Sequence, residues 1–165
     1  MAIKEKGSLS LWLRVALIAA MAATVLFIFI NSTLPKEQSA QQSGVIEEIV
    51  DKVIPDDVPV KDMIIENIRK IAHFSEYGLL GIELALYIFF FRRKRIYLYA
   101  PMSPLVAMLV GFLDESIQLL SDRGPMISDV WIDIGGFATF TLITYGALYA
   151  GLGILTLIRR GRNEN

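Results

Sequence analysis

The side chains that could hold a ligand or move a proton sit at the ends of long apolar runs. Asp114-Glu115-Ser116-Ile117-Gln118 closes the third run, Arg123-Gly124-Pro125 follows, and Ser128-Asp129 with Asp133 opens the fourth. The second run opens with Arg69-Lys70, His73, Glu76 and Tyr77. Ionisable groups are costly at such positions and are rarely kept there without a use. Their spacing groups them further. On a helix His73, Glu76 and Tyr77 share a face, as do Asp114 with Gln118 and Asp129 with Asp133, and Glu115 is expected to turn partly away. Arg123 is placed to reach back from the turn as a bidentate clamp on these carboxylates.

Several chemistries fit this set. Glu76, Asp114, Glu115, Asp129 and Asp133 set against Arg69, Lys70 and Arg123 leave two negative charges when His73 is neutral. Partly buried carboxylates this close do not all stay ionised, so either some carry protons or a cation or cationic ligand completes the group. His73 with carboxylates is a donor set for a hard or borderline cation, at a spacing that selects no particular metal. Paired carboxylates also do acid–base work. The plainer alternative is a salt-bridge network that pins helix ends and guides their assembly. Glu83, near the middle of the second run, reads either as a proton carrier or as the partner of a polar neighbour.

Other chemistries lack the residues they need. A single histidine leaves nothing for two-histidine zinc motifs, and the absence of cysteine excludes disulfides, thiolate chemistry and cysteine-ligated zinc. No Gly-x-Ser-x-Gly occurs, which weakens a serine-hydrolase reading. The basic blocks flank apolar runs as membrane anchors, so nucleic acid is not an expected partner.

The elements that must position these groups are membrane helices. Of the 165 residues 54% are hydrophobic, and the mean hydropathy is +0.51, too apolar for an ordinary soluble domain of this size. The charges cluster and leave four apolar stretches, at about 9–30, 70–91, 96–120 and 129–158. Each meets the roughly 20 residues that a span requires. The expected fold is all-α: a polytopic membrane protein of four transmembrane helices, one domain over 1–165, in which the first run is an uncleaved span rather than a signal peptide. Gly124-Pro125 signals a turn that makes the third and fourth spans antiparallel neighbours, and Gly135-Gly136 allows a neighbouring helix to approach closely.

Between the first two spans lies an outer loop, 31–68, carrying eight acidic and three basic residues. Val45, Ile46, Ile49, Val50, Val53 and Ile54 recur there at helical spacing until Pro55, predicting a short amphipathic helix on the outer surface, read most simply as a cap on the bundle; its acidity argues against attraction to anionic lipid headgroups. A second helical pattern through Met63, Ile64 and Ile68 leads into the next span. Orientation follows from the basic residues, which are retained on the cytoplasmic side. One set of helix ends carries ten of the sixteen: Lys4, Lys6, Arg14, Arg92, Arg93, Lys94, Arg95, Arg159, Arg160 and Arg162. Both termini are therefore expected in the cytoplasm and the polar residues at the extracytoplasmic surface.

At these residues the chain resembles the VanZ-like family of bacterial membrane proteins. The resemblance rests on Lys70-x-x-His73-Phe74-x-Glu76-Tyr77-x-x-Leu80 and Asp114-Glu115-x-x-Gln118, continues through Arg123, Asp129, Asp133 and Gly136 in order, and covers Arg69 to Phe140. It implies a small multi-span protein of the cell envelope and a link to low-level resistance to teicoplanin, a glycopeptide that acts on cell-wall precursors at the outer membrane face. The implied partners are the lipid bilayer and a lipid-linked precursor or glycopeptide. It brings no known reaction, metal or cofactor with it.

Overall fold

The computed structural model describes residues 2–55, 58, 60–121 and 126–163. The described residues form six α-helices and no strand: α1 (Ala2–Thr33), α2 (Lys36–Val53), α3 (Val60–Glu66), α4 (Ile68–Arg92), α5 (Ile96–Leu120) and α6 (Ile127–Asn163). A 3-10 turn, Arg93–Arg95, joins α4 to α5. Helix is the form that lets such apolar runs satisfy every backbone polar group within the segment itself. The second and third expected runs match α4 and α5 to within two residues, whereas α1 and α6 outrun their apolar cores into the flanking polar residues.

Cross-helix contacts fix the directions. Going along α1, Arg14 meets Tyr87, Thr24 meets Glu83 and Asn31 meets Glu76, so α1 and α4 are antiparallel. Helix α6 runs parallel to α4, with His73 against Asp133 and Phe89 against Tyr149, whose ring centroids are 5.6 Å apart. Helix α5 returns beside α4, with Asp114 near His73 at one end and the Arg92 guanidinium over the Tyr99 ring at the other. Ile28, Tyr77, Leu80, Ala107, Val110 and Phe137, one or two from each of these four helices, form the core between them.

Glycine brings α4 and α6 together. A Cβ on Gly136 would lie 2.2 Å from the Phe74 carbonyl oxygen, and one on Gly81 would lie 2.5 Å from the Phe137 carbonyl oxygen. Gly135 does not share this duty, because its nearest neighbour would be 3.9 Å away. In α5, Pro104 has no N–H for the Ala100 carbonyl one turn back. The Ser103 hydroxyl donates to that carbonyl at 2.7 Å instead, which keeps α5 continuous through Pro101 and Pro104.

Leu26, Leu109, Leu142 and Ile143 are among many large apolar side chains facing outward. Three stretches, Leu11–Thr33, Ile68–Leu120 and Ile127–Arg162, are long and apolar enough to cross a membrane. The middle one takes in both α4 and α5. Outward apolar faces over a thin internal core match a lipid bilayer as solvent.

Helix α2 departs from expectation. It starts at Lys36, well before the apolar pattern, and Val45, Ile49 and Val53 are exposed instead of packing on the bundle. Ser39, Gln42, Ser43 and Ile46 are the residues that face α1 and α4. The helix ends beneath it are polar, and hydroxyl and amide side chains suit that surface better than valine and isoleucine do. Lys61 of α3 ties back to Asp51 of α2 at 3.1 Å.

Candidate functional site

The polar residues that end α1 and α5 and begin α4 and α6 meet at one end of the bundle. His73, one turn into α4, points into the interior between α5 and α6. Its Nδ1 is 3.2 Å from Asp133 Oδ1 and 3.8 Å from Asp114 Oδ2. Both aspartates have no exposed surface. Gly111 leaves room on the α5 side, since a Cβ there would lie 3.2 Å from Asp133 Oδ2. That Oδ2 is buried with no hydrogen-bond partner among the described residues.

Around this centre a network orients the carboxylates. The Ser32 hydroxyl, near the end of α1, donates a short hydrogen bond to Asp114 Oδ1. Gln118 Nε2 donates to Asp114 Oδ2 at 3.2 Å and to Glu115 Oε1 at 3.1 Å. Its amide oxygen accepts from Arg69 Nη2 at 2.6 Å. The same Nη2 lies 3.7 Å from Asp129 Oδ2. Glu115 Oε2 accepts the Met126 backbone N–H at 2.8 Å, tying the end of α5 to the residue before α6. The planar amide of Gln118 thus joins three charged groups from two helices, a job that requires both a donor and an acceptor in one side chain.

Most of the expected residues converge. His73, Asp114, Gln118, Asp129 and Asp133 join as their spacing implies. Glu115 corrects the reading of the helix face: it is buried and bonded on both carboxylate oxygens rather than turned away. Glu76 lies on the rim, accepting from Asn31 Nδ2 at 3.0 Å. Tyr77 is fully buried in the apolar core, and its hydroxyl has no partner among the described residues. Lys70 bonds Asn67 at 3.2 Å, leaving Arg69 as the cation that touches the cluster among the described residues. The Arg123 clamp and the Gly124-Pro125 turn lie outside the described residues. Glu83 is a separate, deeper feature, held by the Thr24 hydroxyl at 3.0 Å.

Sequence reasoning missed Ser32 and Asn31. They follow an apolar run and read as the start of a loop, when in fact they close the last turn of α1. Arg69 was counted for its charge without being recognised as the bridge between α4, α5 and α6.

Above His73 lies a small cavity of about 80 Å³ with mixed polar and apolar walls, bounded by Asn31, Ser32, Ile68, Arg69, Ala72, His73 and Glu76 below and by Ser39, Gln42, Ser43 and Ile46 of α2 above. A water needs roughly 10–15 Å³ on this measure, so the space suits several waters or a hydrated ion. It is well below the roughly 300–1,000 Å³ of a pocket for an organic ligand of drug size. Within the described residues, His73, Asp114 and Asp133 each offer one ligand atom, and these atoms lie within 4.8 Å of one another.

No curated protein and no solved structure matches the chain. The VanZ/LLP1 family model does match, over residues 15–149, a span that takes in α4 and α5, most of α1 and every residue of the cluster. A match over most of the chain, resting on the helices that build this site, makes the protein a member of the VanZ/LLP1 family.

Proposed function

We propose that this chain is a multi-pass protein of the bacterial cell envelope that binds or acts on a polar group at the outer membrane face through its cluster of carboxylates, His73, Gln118 and Arg69. In this reading α1, α4, α5 and α6 are four spans with both termini in the cytoplasm. The stretch Ile68–Leu120 has 53 residues, or about 80 Å of helix, against a hydrocarbon core of about 30 Å. The antiparallel pairing of α4 and α5 folds that length into two crossings. Arg92–Arg95 then lie at the opposite end of the bundle from the cluster, the side on which basic residues are retained. This segregation of charge carries the outer placement. Helix α2 would sit at the outer interface, its exposed Val45, Ile49 and Val53 available to the lipid boundary.

The substrate class follows from size and place. A cavity of about 80 Å³ cannot enclose a glycopeptide, so the group recognised is a small polar head or ion at the membrane surface. Of a lipid-linked cell-wall precursor only one small polar group of the head could enter, and that contact is the route by which a teicoplanin-type resistance role would arise. The test is Glu76→Gln and Asp129→Asn expressed in a glycopeptide-sensitive host, with membrane abundance followed alongside susceptibility. Loss of the envelope phenotype at normal abundance supports the site. An unchanged phenotype at normal abundance overturns it.

One observation favours a second reading. Asp114 and Gln118 are fully buried and bonded to each other, and the buried Asp133 pairs with His73, as in a purely architectural latch. On that reading the same substitutions lower abundance or thermal stability in detergent, and no phenotype is lost independently of stability. A proton-coupled transporter built on Glu83 has less support, because Glu83 bonds Thr24 and the described residues hold no paired broken helices.

A further inference from the structure

We propose that His73, Asp114 and Asp133 hold one divalent cation of the Zn²⁺ or Mn²⁺ class, with its remaining coordination positions served by water in the cavity beneath α2. The cluster of acids alone would not require this; its geometry, charge and outer contacts point to it. The three candidate ligand atoms come from α4, α5 and α6 and lie within 4.8 Å of one another. Ligand-to-metal bonds of about 2.0–2.2 Å place neighbouring donors roughly 3–4 Å apart, and the 3.2 Å and 3.8 Å separations from His73 Nδ1 fall in that range. Asp133 is fully buried yet keeps one carboxylate oxygen without a partner, so acceptor capacity is left over at the centre.

Charge and second contacts agree. A neutral imidazole and two carboxylates carry two negative charges, which a divalent cation cancels. Asp114 is oriented by Ser32 on one oxygen and Gln118 on the other, the kind of outer hydrogen bonding that fixes metal-binding carboxylates. The donor set distinguishes among ions. One imidazole with two carboxylates suits a borderline or moderately hard cation, whereas Ca²⁺ asks for six to eight oxygens. His73 also lines a cavity with room for several waters, so three protein ligands leave a coordination position open on that side, the pattern of reactive sites rather than of closed structural ones. The competing occupant is a proton shared between His73 and Asp133.

The site can be tested without any activity. Purified full-length protein in detergent is stripped with chelator and titrated with Zn²⁺, Mn²⁺ and Co²⁺, with Mg²⁺ and Ca²⁺ as controls. Expected are about one Zn²⁺ per chain, a raised melting temperature, and a Co²⁺ visible spectrum from an N/O donor set. Asp133→Asn and His73→Gln should abolish the tight site, Gln118→Leu should weaken it about 10–100-fold, and Glu83→Gln should leave it unchanged. Binding that survives both ligand substitutions, or wild-type protein that binds only at the level of its exposed acids, overturns the proposal in favour of the shared proton. Should the ligand variants not fold, X-ray absorption of the wild-type Zn²⁺ complex decides, since a coordination sphere without imidazole overturns it equally. These outcomes are independent of any resistance phenotype, so failure of the metal site and failure of the proposed function remain distinguishable.

Discussion

Two adjacent glycines should respond oppositely to the same substitution. On α6, Gly136 lies where a Cβ would sit 2.2 Å from the Phe74 carbonyl oxygen and 2.9 Å from the Phe74 Cα. Carbon–oxygen contacts are normally no closer than about 3.3 Å, so α4 and α6 must part by about 1 Å. The obstacle is main chain of a packed helix, which cannot rotate aside as a side chain can. Overpacking of this kind costs about 1–3 kcal/mol or somewhat more. Gly135, one residue earlier, would meet only the edge of the Phe74 ring at 3.9 Å, an ordinary contact. Both substitutions to alanine gain the same intrinsic helix preference, about 1 kcal/mol, so the difference between them isolates the clash. Gly136→Ala should therefore be less stable than Gly135→Ala by about 1–3 kcal/mol. With about 2–4 °C per kcal/mol for a chain of this size, that is a gap of roughly 2–12 °C in thermal unfolding in detergent. The clash is one turn from His73 and Asp133, so Gly136→Ala should also disturb that contact. Equal melting temperatures for the two variants would refute the close α4–α6 packing on which the site depends.

Three further outcomes are expected. Gln118→Leu removes a donor shared by Asp114 and Glu115 and an acceptor for Arg69, and should cost about 3 kcal/mol or more, read as a lower unfolding midpoint in detergent. Thr24→Val takes away the hydroxyl that Glu83 accepts from and should cost about 1–3 kcal/mol, while Thr24→Ser should restore it. Glu83→Gln retains an acceptor for Thr24 and should change stability by no more than about 1 kcal/mol in the same assay, with any envelope phenotype intact. A lost phenotype in a stable Glu83→Gln protein would revive the proton-carrier reading.

The helices were legible because membrane spans announce themselves by length and apolarity alone. The convergence of His73, Asp114 and Asp133 was legible in part: helical spacing and the short turn after α5 set the ends of three helices side by side. Periodicity could not give the partner from α1. A serine and an asparagine after an apolar run look like loop, and only the packed bundle shows that Ser32 reaches Asp114 and Asn31 reaches Glu76. Glu115 was misread because its face was judged from α5 alone. The Met126 amide, just before α6, donates to its carboxylate and makes an inward position of it. Gly78 and Gly81 are also closely packed against α6, Gly78 on the Phe140 ring and Gly81 on the Phe137 carbonyl, but single glycines inside an apolar run carry no signal of what lies opposite. For α2 the apolar pattern was real, but most of it does not pack on the bundle. A cavity of mixed polar and apolar lining lies beneath the helix; Ile46 faces it, while Val45, Ile49 and Val53 are left outside.

The outer placement of the polar cluster is tested most directly by cysteine labelling in intact cells, for which a chain with no native cysteine is well suited. Met126→Cys places an exposed thiol beside the cluster, and Lys94→Cys places one in the exposed turn at the opposite end of the bundle. A membrane-impermeant maleimide should label Met126→Cys in intact cells and Lys94→Cys only after permeabilisation. The reverse pattern would put the cluster in the cytoplasm and contradict an extracytoplasmic site.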